Sequence, residues 1–300
     1  MSQFLFPAKS LTKYRIGNKE IIVIGEAHTN NTNISMANVQ YTWSFMTQKL
    51  KEGYNIDLEL SPTFKQDYKQ IMKNIHSVNI RNVLKNVEKI NKINKISGMD
   101  LRRKGEFFGI FGNDNIQAYF FNKSEELNGI NYWQFLVVLD NIMLFINKHF
   151  YDKFKGLIIK LNKSALDNLF KMHQVVDRHS QLSKKIIQED AQKTKKQLYT
   201  FKDMFRLFGK KHNFHKMVDD YRMFILAFSD LLTIIEILYH QNPKHVLLIG
   251  DAHAQNMRNL LGNYIEYPNK VINKKLSQKE KKMLGNEIKG KPNQVYMKYF

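Results

Sequence analysis

The chain has 300 residues, is 43% hydrophobic and contains no cysteine. It can therefore bury a substantial core, while disulfides, thiolate metal sites and a cysteine nucleophile are excluded. Its formal net charge of +20 favours polyanions such as nucleic acid, phosphate-rich ligands or an acidic membrane face, although a Lys-, Asn- and Ile-rich composition with lysines spread over helix faces produces the same excess.

The N-terminal stretch MSQFLFPAKSLTKYRIGNKE holds only a brief apolar patch. No secretory signal is expected, and the expected location is the cytoplasm, or host cytoplasm or virion for a viral protein. KEIIVIG at 19–25 is a short β-branched run closed by glycine, the pattern of a strand buried on both faces. Residues 33–53 carry Ile34, Val39, Trp43, Met46 and Leu50 at helical spacing, with Asn33 as cap and Gly53 as stop. YNIDLELSP at 54–62 returns to a strand. Strand, helix and strand together predict a parallel pair with a crossover.

Residues 62–95 read as polar helix, and KISGMDLRRKGE at 95–106 as a third short strand ending near Asp100. FFGIFGNDN at 107–115 has loop composition. From about 124 to 241 the periodicity is helical. The apolar run MFILAFSDLLTIIEILY at 223–239 is broken by Ser229, Asp230, Thr233 and Glu236, which predicts a buried helix and no membrane span. PKHVLLIG at 243–250 is again a buried strand, followed by the helix AQNMRNLLG and a short strand NYIEY. Lysine dominates the tail, the expected place for partner binding. The reading is an α/β fold: a central, mostly parallel sheet with flanking helices in one domain at 1–270, a large helical insertion or cap at about 110–241, and a basic tail at 271–300.

Two segments echo one another. IIVIGEAHTN at 21–30 and VLLIGDAHAQN at 246–256 each place a carboxylate and, two residues later, a histidine behind a strand and a glycine. Loops at the carboxyl ends of parallel strands converge on one crevice, so His28, His253, Glu26 and Asp251 are expected to share a pocket. Glu59 ends the next strand and Asp100 the third. Such clustered acids need a balancing cation: a metal held by His and carboxylate ligands, or Arg102 and Arg178. Without a metal, His28 would take a proton from water or a substrate hydroxyl, a carboxylate would orient the imidazole, and an arginine would stabilise the oxyanion. The His212/His215 pair reads as a basic surface loop, and His173 and His179, six apart, fall on different sides of a helix.

The order GEAH, LEL, GMDLR, VVDRHSQL and LLIGDAH resembles the superfamily that unites erythromycin-esterase-like, ChaN-like and TraB/Tiki proteins, whose signature is a pair of GxxH motifs with acids after the strands and a helix-borne arginine. The resemblance implies an α/β fold with a helical insertion and an active site at the strand ends. It makes His28 and His253 the principal site histidines, Glu26 and Glu59 their acidic partners and Arg178 the arginine. Members include esterases, metal-dependent proteases and haem-binding proteins. The expected function is hydrolysis of an ester or peptide bond in a small-molecule or peptide substrate. A divalent Mn, Fe, Co or Zn, where one is used, would be held by His28, His253, Glu26 and Glu59. The alternatives are a catalytically silent basic protein of the same fold that binds nucleic acid or another polyanion, for example a viral structural or packaging component, and a binder of a flat cofactor such as haem.

Overall fold

A computed structural model describes residues 4–6, 8–26, 39–60, 64–66, 68–75, 77–99, 131–147, 151–209, 213–267 and 295–296. The chain forms two compact units, one from residues 1–100 with 236–300 and one from residues 101–235.

The first unit is α/β. In chain order it contains β1 (Phe4–Phe6), β2 (Ser10–Ile16), β3 (Lys19–Glu26), β4 (Val39–Tyr41), α1 (Thr42–Lys51), β5 (Asn55–Leu58), α2 (Tyr68–Asn74), α3 (Val78–Lys89) and β6 (Ile96–Gly98). Its second sequence segment brings β7 (Lys244–Gly250), α9 (Asp251–Leu260), β8 (Ile265–Tyr267) and β9 (Val295–Tyr296). Six strands form one sheet in the order β6-β5-β7-β3-β2-β8, and β4-β1-β9 form a small second sheet. The four strands β6, β5, β7 and β3 run parallel, while β2 is antiparallel to both β3 and β8.

The apolar runs of the three central strands explain their position. Ile22, Ile24, Ile56, Leu58, Val246 and Leu248 alternate onto one face and pack with Phe45, Met46 and Leu50 of α1 and Val83, Leu84 and Val87 of α3. Each such side chain, fully buried, contributes about 1.5–3 kcal/mol. Hairpin β2–β3 turns at Gly17, whose φ of 59° is the left-handed conformation that glycine adopts without a Cβ clash.

Three sequence expectations change. The helix expected at 33–53 begins at Thr42, because Val39–Tyr41 is extended and pairs with β1. β3 and β5 are parallel but not neighbours, since β7 inserts between them. The N-terminal stretch, read as little more than an apolar patch, supplies β1 and β2. Within the tail only Val295–Tyr296 is among the described residues.

The second unit is helical in its described part. It holds α4 (Tyr132–Phe145), α5 (Tyr151–Ile158), α6 (Lys163–Thr194), α7 (Phe201–Phe208) and most of α8 (Phe214–Tyr239). Caps set the starts: Asn131 accepts from Trp133 and Gln134, Asn162 from Ala165, and Thr200 with Asp203 forms a reciprocal capping box. Its core is aromatic. The Tyr132 ring meets Phe201 edge-on at 4.8 Å, Phe135 meets Tyr221 at 5.2 Å, and the buried Tyr132 hydroxyl lies 2.9 Å from Ser183 Oγ. Among the described residues no helix is long and apolar enough to cross a membrane.

Candidate functional site

Strands β3 and β7 are adjacent and parallel, with Gly25 opposite Ile249 and Glu26 opposite Gly250. The two echoed segments therefore leave the sheet side by side at its carboxyl edge. A Cβ on Gly25 would come within 2.2 Å of Ser10 Oγ and 2.7 Å of Asp251 Oδ1. Only glycine lets β2, β3 and α9 approach this closely. Gly250 is the N-cap of α9, so Asp251 is its first residue and His253 its third.

Each carboxylate has a defined holder. Glu26 is 3% exposed, and its oxygens accept from Ser77 Oγ at 2.6 Å and Asn79 Nδ2 at 2.8 Å. Ser77 is also the N-cap of α3 and accepts from the Ile80 amide, so the start of that helix positions the Glu26 carboxylate. Asp251 accepts from Ser10 Oγ at 2.8 Å and from Gln255 Nε2 at 3.0 Å. Glu59 follows the last residue of β5, where its Oε2 accepts the Gly250 amide at 2.8 Å. Its Oε1 lies 3.5 Å from Nε2 of His253, and both side chains are only slightly exposed, at 16% and 12%. A carboxylate anchored on the backbone thus addresses an imidazole in the first turn of a helix, where the helix dipole adds positive potential.

The structure brings together Glu59 and His253, with Glu26 and Asp251 leaving the neighbouring strand ends. His28, Asp100 and Arg102 lie outside the described residues. Arg178 belongs to the helical unit, where it is exposed on α6 and its Nε donates to the Gln174 carbonyl at 3.2 Å. His179 Nε2 contacts Asp220 at 2.9 Å, and the His215 ring lies tilted against Phe205 at 4.4 Å.

The donor set can also be tested for a metal. Among the described residues no three His, Asp or Glu side chains converge as ligands. Glu26 and Asp251 each have both oxygens engaged by hydroxyl or amide donors. His28, the fourth ligand expected from the sequence, lies outside the described residues, while Glu26 and Glu59 are held by hydrogen bonds from Ser77, Asn79 and the Gly250 amide.

Sequence reading missed Ser77, Asn79 and Ser10, which are remote in the chain and ordinary in composition. It also missed a second polar constellation, built from β5 and the start of β7. Asp57 and His245 are both fully buried, with Oδ2 to Nδ1 at 2.8 Å. His245 Nε2 faces the Asn242 carbonyl at 3.0 Å. A carbonyl only accepts, so Nε2 is the donor in that contact, and Nδ1 faces the Asp57 carboxyl. The His240 ring stands edge-on to His245 at 4.9 Å; burial, then the neighbouring His245, pushes its pKa below the usual histidine value. Lys19 donates to the carbonyls of His240 and Asn242, and its own pKa is lowered by burial. One signal was available. In IDLEL, Asp57 and Glu59 sit two apart and so share a face, and HVLLIG places a histidine within a buried run.

Compared with known proteins, the chain matches no protein-family model, no curated protein and no solved structure. Fold and site alone define the class: an open, mostly parallel α/β sheet with acidic and imidazole side chains at the carboxyl ends of its central strands, the edge at which such sheets bind ligands.

Proposed function

We propose that the carboxyl-edge crevice hydrolyses an acyl bond, an ester or a peptide, with His253 as the proton-transfer group and Glu59 as the residue that orients it. The observation that supports this reading is the double engagement of Glu59, with one oxygen on the Gly250 amide and the other 3.5 Å from His253. His253 takes a proton from water as it attacks the carbonyl and returns it to the leaving group. Glu59 stabilises the imidazolium in between. The positive end of the α9 dipole favours the oxyanion that forms beside it. Asp251, partly exposed at the start of α9, adds negative charge that favours substrates with a cationic group near the scissile bond. The likeness to erythromycin-esterase-like and TraB/Tiki proteins supports the same reaction class, and the cytoplasm is the compartment we assign.

The test is turnover of a chromogenic ester panel and a fluorogenic peptide panel by the full chain and by His253→Ala, each with and without a chelator. The reading requires turnover that survives chelation and falls on the order of hundredfold or more in the variant. Equal turnover in both proteins overturns it.

A further inference from the structure

The segment from α2 to β6 carries a concentration of charge that the proposed hydrolysis does not use. Residues 77–99 contain five cations (Arg81, Lys85, Lys89, Lys92 and Lys95) against one carboxylate, Glu88. Arg81 turns inward and donates to the Ile75 carbonyl. The four lysines are exposed, and none has a carboxylate partner among the described residues. Glu88 accepts from the Tyr68 hydroxyl at 3.2 Å, which also ties α2, with its exposed Lys69 and Lys73, to this surface.

The local structure explains the grouping. Lys85 and Lys89 are one turn apart on α3 and share a face. The helix ends at Ile90, and Asn91 takes a left-handed φ of 57°. Lys92 then leads into a 3₁₀ turn (Ile93–Lys95) that ends with Lys95. Only Lys89 lies in the last turn of the helix, so attraction to the helix dipole, which decays within that turn, does not account for Lys92 and Lys95. Ile90 and Ile93 pack against the core, while Lys92, Lys95 and the exposed Asn91 and Asn94 face solvent.

Neighbouring side chains narrow the partner. Among the described side chains between residues 64 and 99 no large apolar one is exposed, which gives them no wedge for a bilayer. The described aromatic rings of this segment, Phe64 and Tyr68, are buried and half-buried, so they offer no open platform for unpaired bases. Exposed ammonium groups three or four residues apart in the chain, flanked by neutral amides, suit a surface that meets a series of phosphates. We propose that the surface formed by Lys85, Lys89, Lys92 and Lys95 docks on the backbone of double-stranded nucleic acid without reading base sequence.

The test is fluorescence anisotropy of a labelled duplex DNA of scrambled sequence, titrated with the full chain over a salt series. Two variants are compared: Lys85/Lys89/Lys92/Lys95→Gln, and Lys163/Lys171/Lys185/Lys193→Gln, which removes the same charge from exposed positions of α6. Circular dichroism confirms that both fold. The first variant should weaken binding on the order of hundredfold or more near ~0.1 M salt and reduce the log–log salt slope by about 3–4. The α6 variant should stay within about threefold of the parent, since it loses no phosphate contact. Equal losses in both variants would show bulk charge at work and overturn the proposal. So would an undiminished first variant, a parent that does not bind duplex, or a parent that prefers phosphatidylserine vesicles at the same salt.

Discussion

Glu59 stands between the Gly250 amide, 2.8 Å from its Oε2, and His253 Nε2, 3.5 Å from its Oε1. The amide contact fixes the carboxylate before any substrate arrives, which is what a residue that orients an imidazole requires. Glu59→Gln keeps the shape and the contact to the amide but removes the charge that stabilises an imidazolium. Turnover in this variant should fall on the order of hundredfold or more with KM little changed, measured as a full saturation curve on the best substrate of the panels. A change confined to KM would instead make Glu59 a substrate contact.

Gly25→Ala should destabilise the α/β unit by about 1–3 kcal/mol, because the new methyl group would displace Ser10 Oγ and Asp251 Oδ1 from their mutual hydrogen bond. Adding Ser10→Ala removes the nearest clash and should recover part of that loss. Urea midpoints of the two single variants and the double variant measure the coupling.

The Asp57–His245 pair lies in an interior with 0% exposure on both sides. Removing either partner leaves a buried polar or charged group alone, at a cost of about 3–5 kcal/mol. Asp57→Leu together with His245→Leu should cost less than either single change. Thermal melts decide it, and a double variant as unstable as the sum of the singles would show that the pair is not one unit.

Two histidines, His173 buried and His240 half-buried, set the acid side of the stability curve. Burial lowers the pKa of His173 and, with help from His245, that of His240 below the usual 6.5. A histidine lowered in the folded state binds fewer protons there than in the unfolded chain. Its effect is absent above pH 6.5, and stability is lost as the pH falls from that value through the lowered one. Tm should therefore drop on acidification below about pH 6.5, and His240→Gln should flatten the drop. His173 Nε2 is buried without a hydrogen-bond partner among the described residues, beside the Phe224 ring. His173→Met should accordingly raise Tm at neutral pH, since it removes an unsatisfied polar atom.

What was legible in the chain was its strongest local physics. β3 and β7 contain continuous apolar runs followed by glycine, and their burial on both faces shows directly as the absence of polar alternation. The convergence of Glu26, Asp251, Glu59 and His253 on one edge followed from the parallel arrangement alone. β2 was illegible because SLTKYRI mixes polar and apolar residues and is held by its pairing with β3 on one side and β8 on the other. Pairing with β1 likewise overrode the helical periodicity at Val39–Tyr41. Ser77 and Asn79 lie 51 and 53 positions from Glu26, so no spacing rule reaches them. The Asp57–His245 pair spans 188 positions and shows in the sequence only as polar letters inside apolar runs.

The most direct test of the account is a double-mutant cycle on hydrolysis: His253→Ala, Glu59→Gln and the two combined, each confirmed folded, compared with the parent as kcat/KM on one ester. If Glu59 acts through His253, the double variant is no slower than His253→Ala alone, because an orienting residue has nothing left to orient. Losses that multiply in the double variant, or a His253→Ala protein as fast as the parent, would contradict the dyad and with it the proposed reaction.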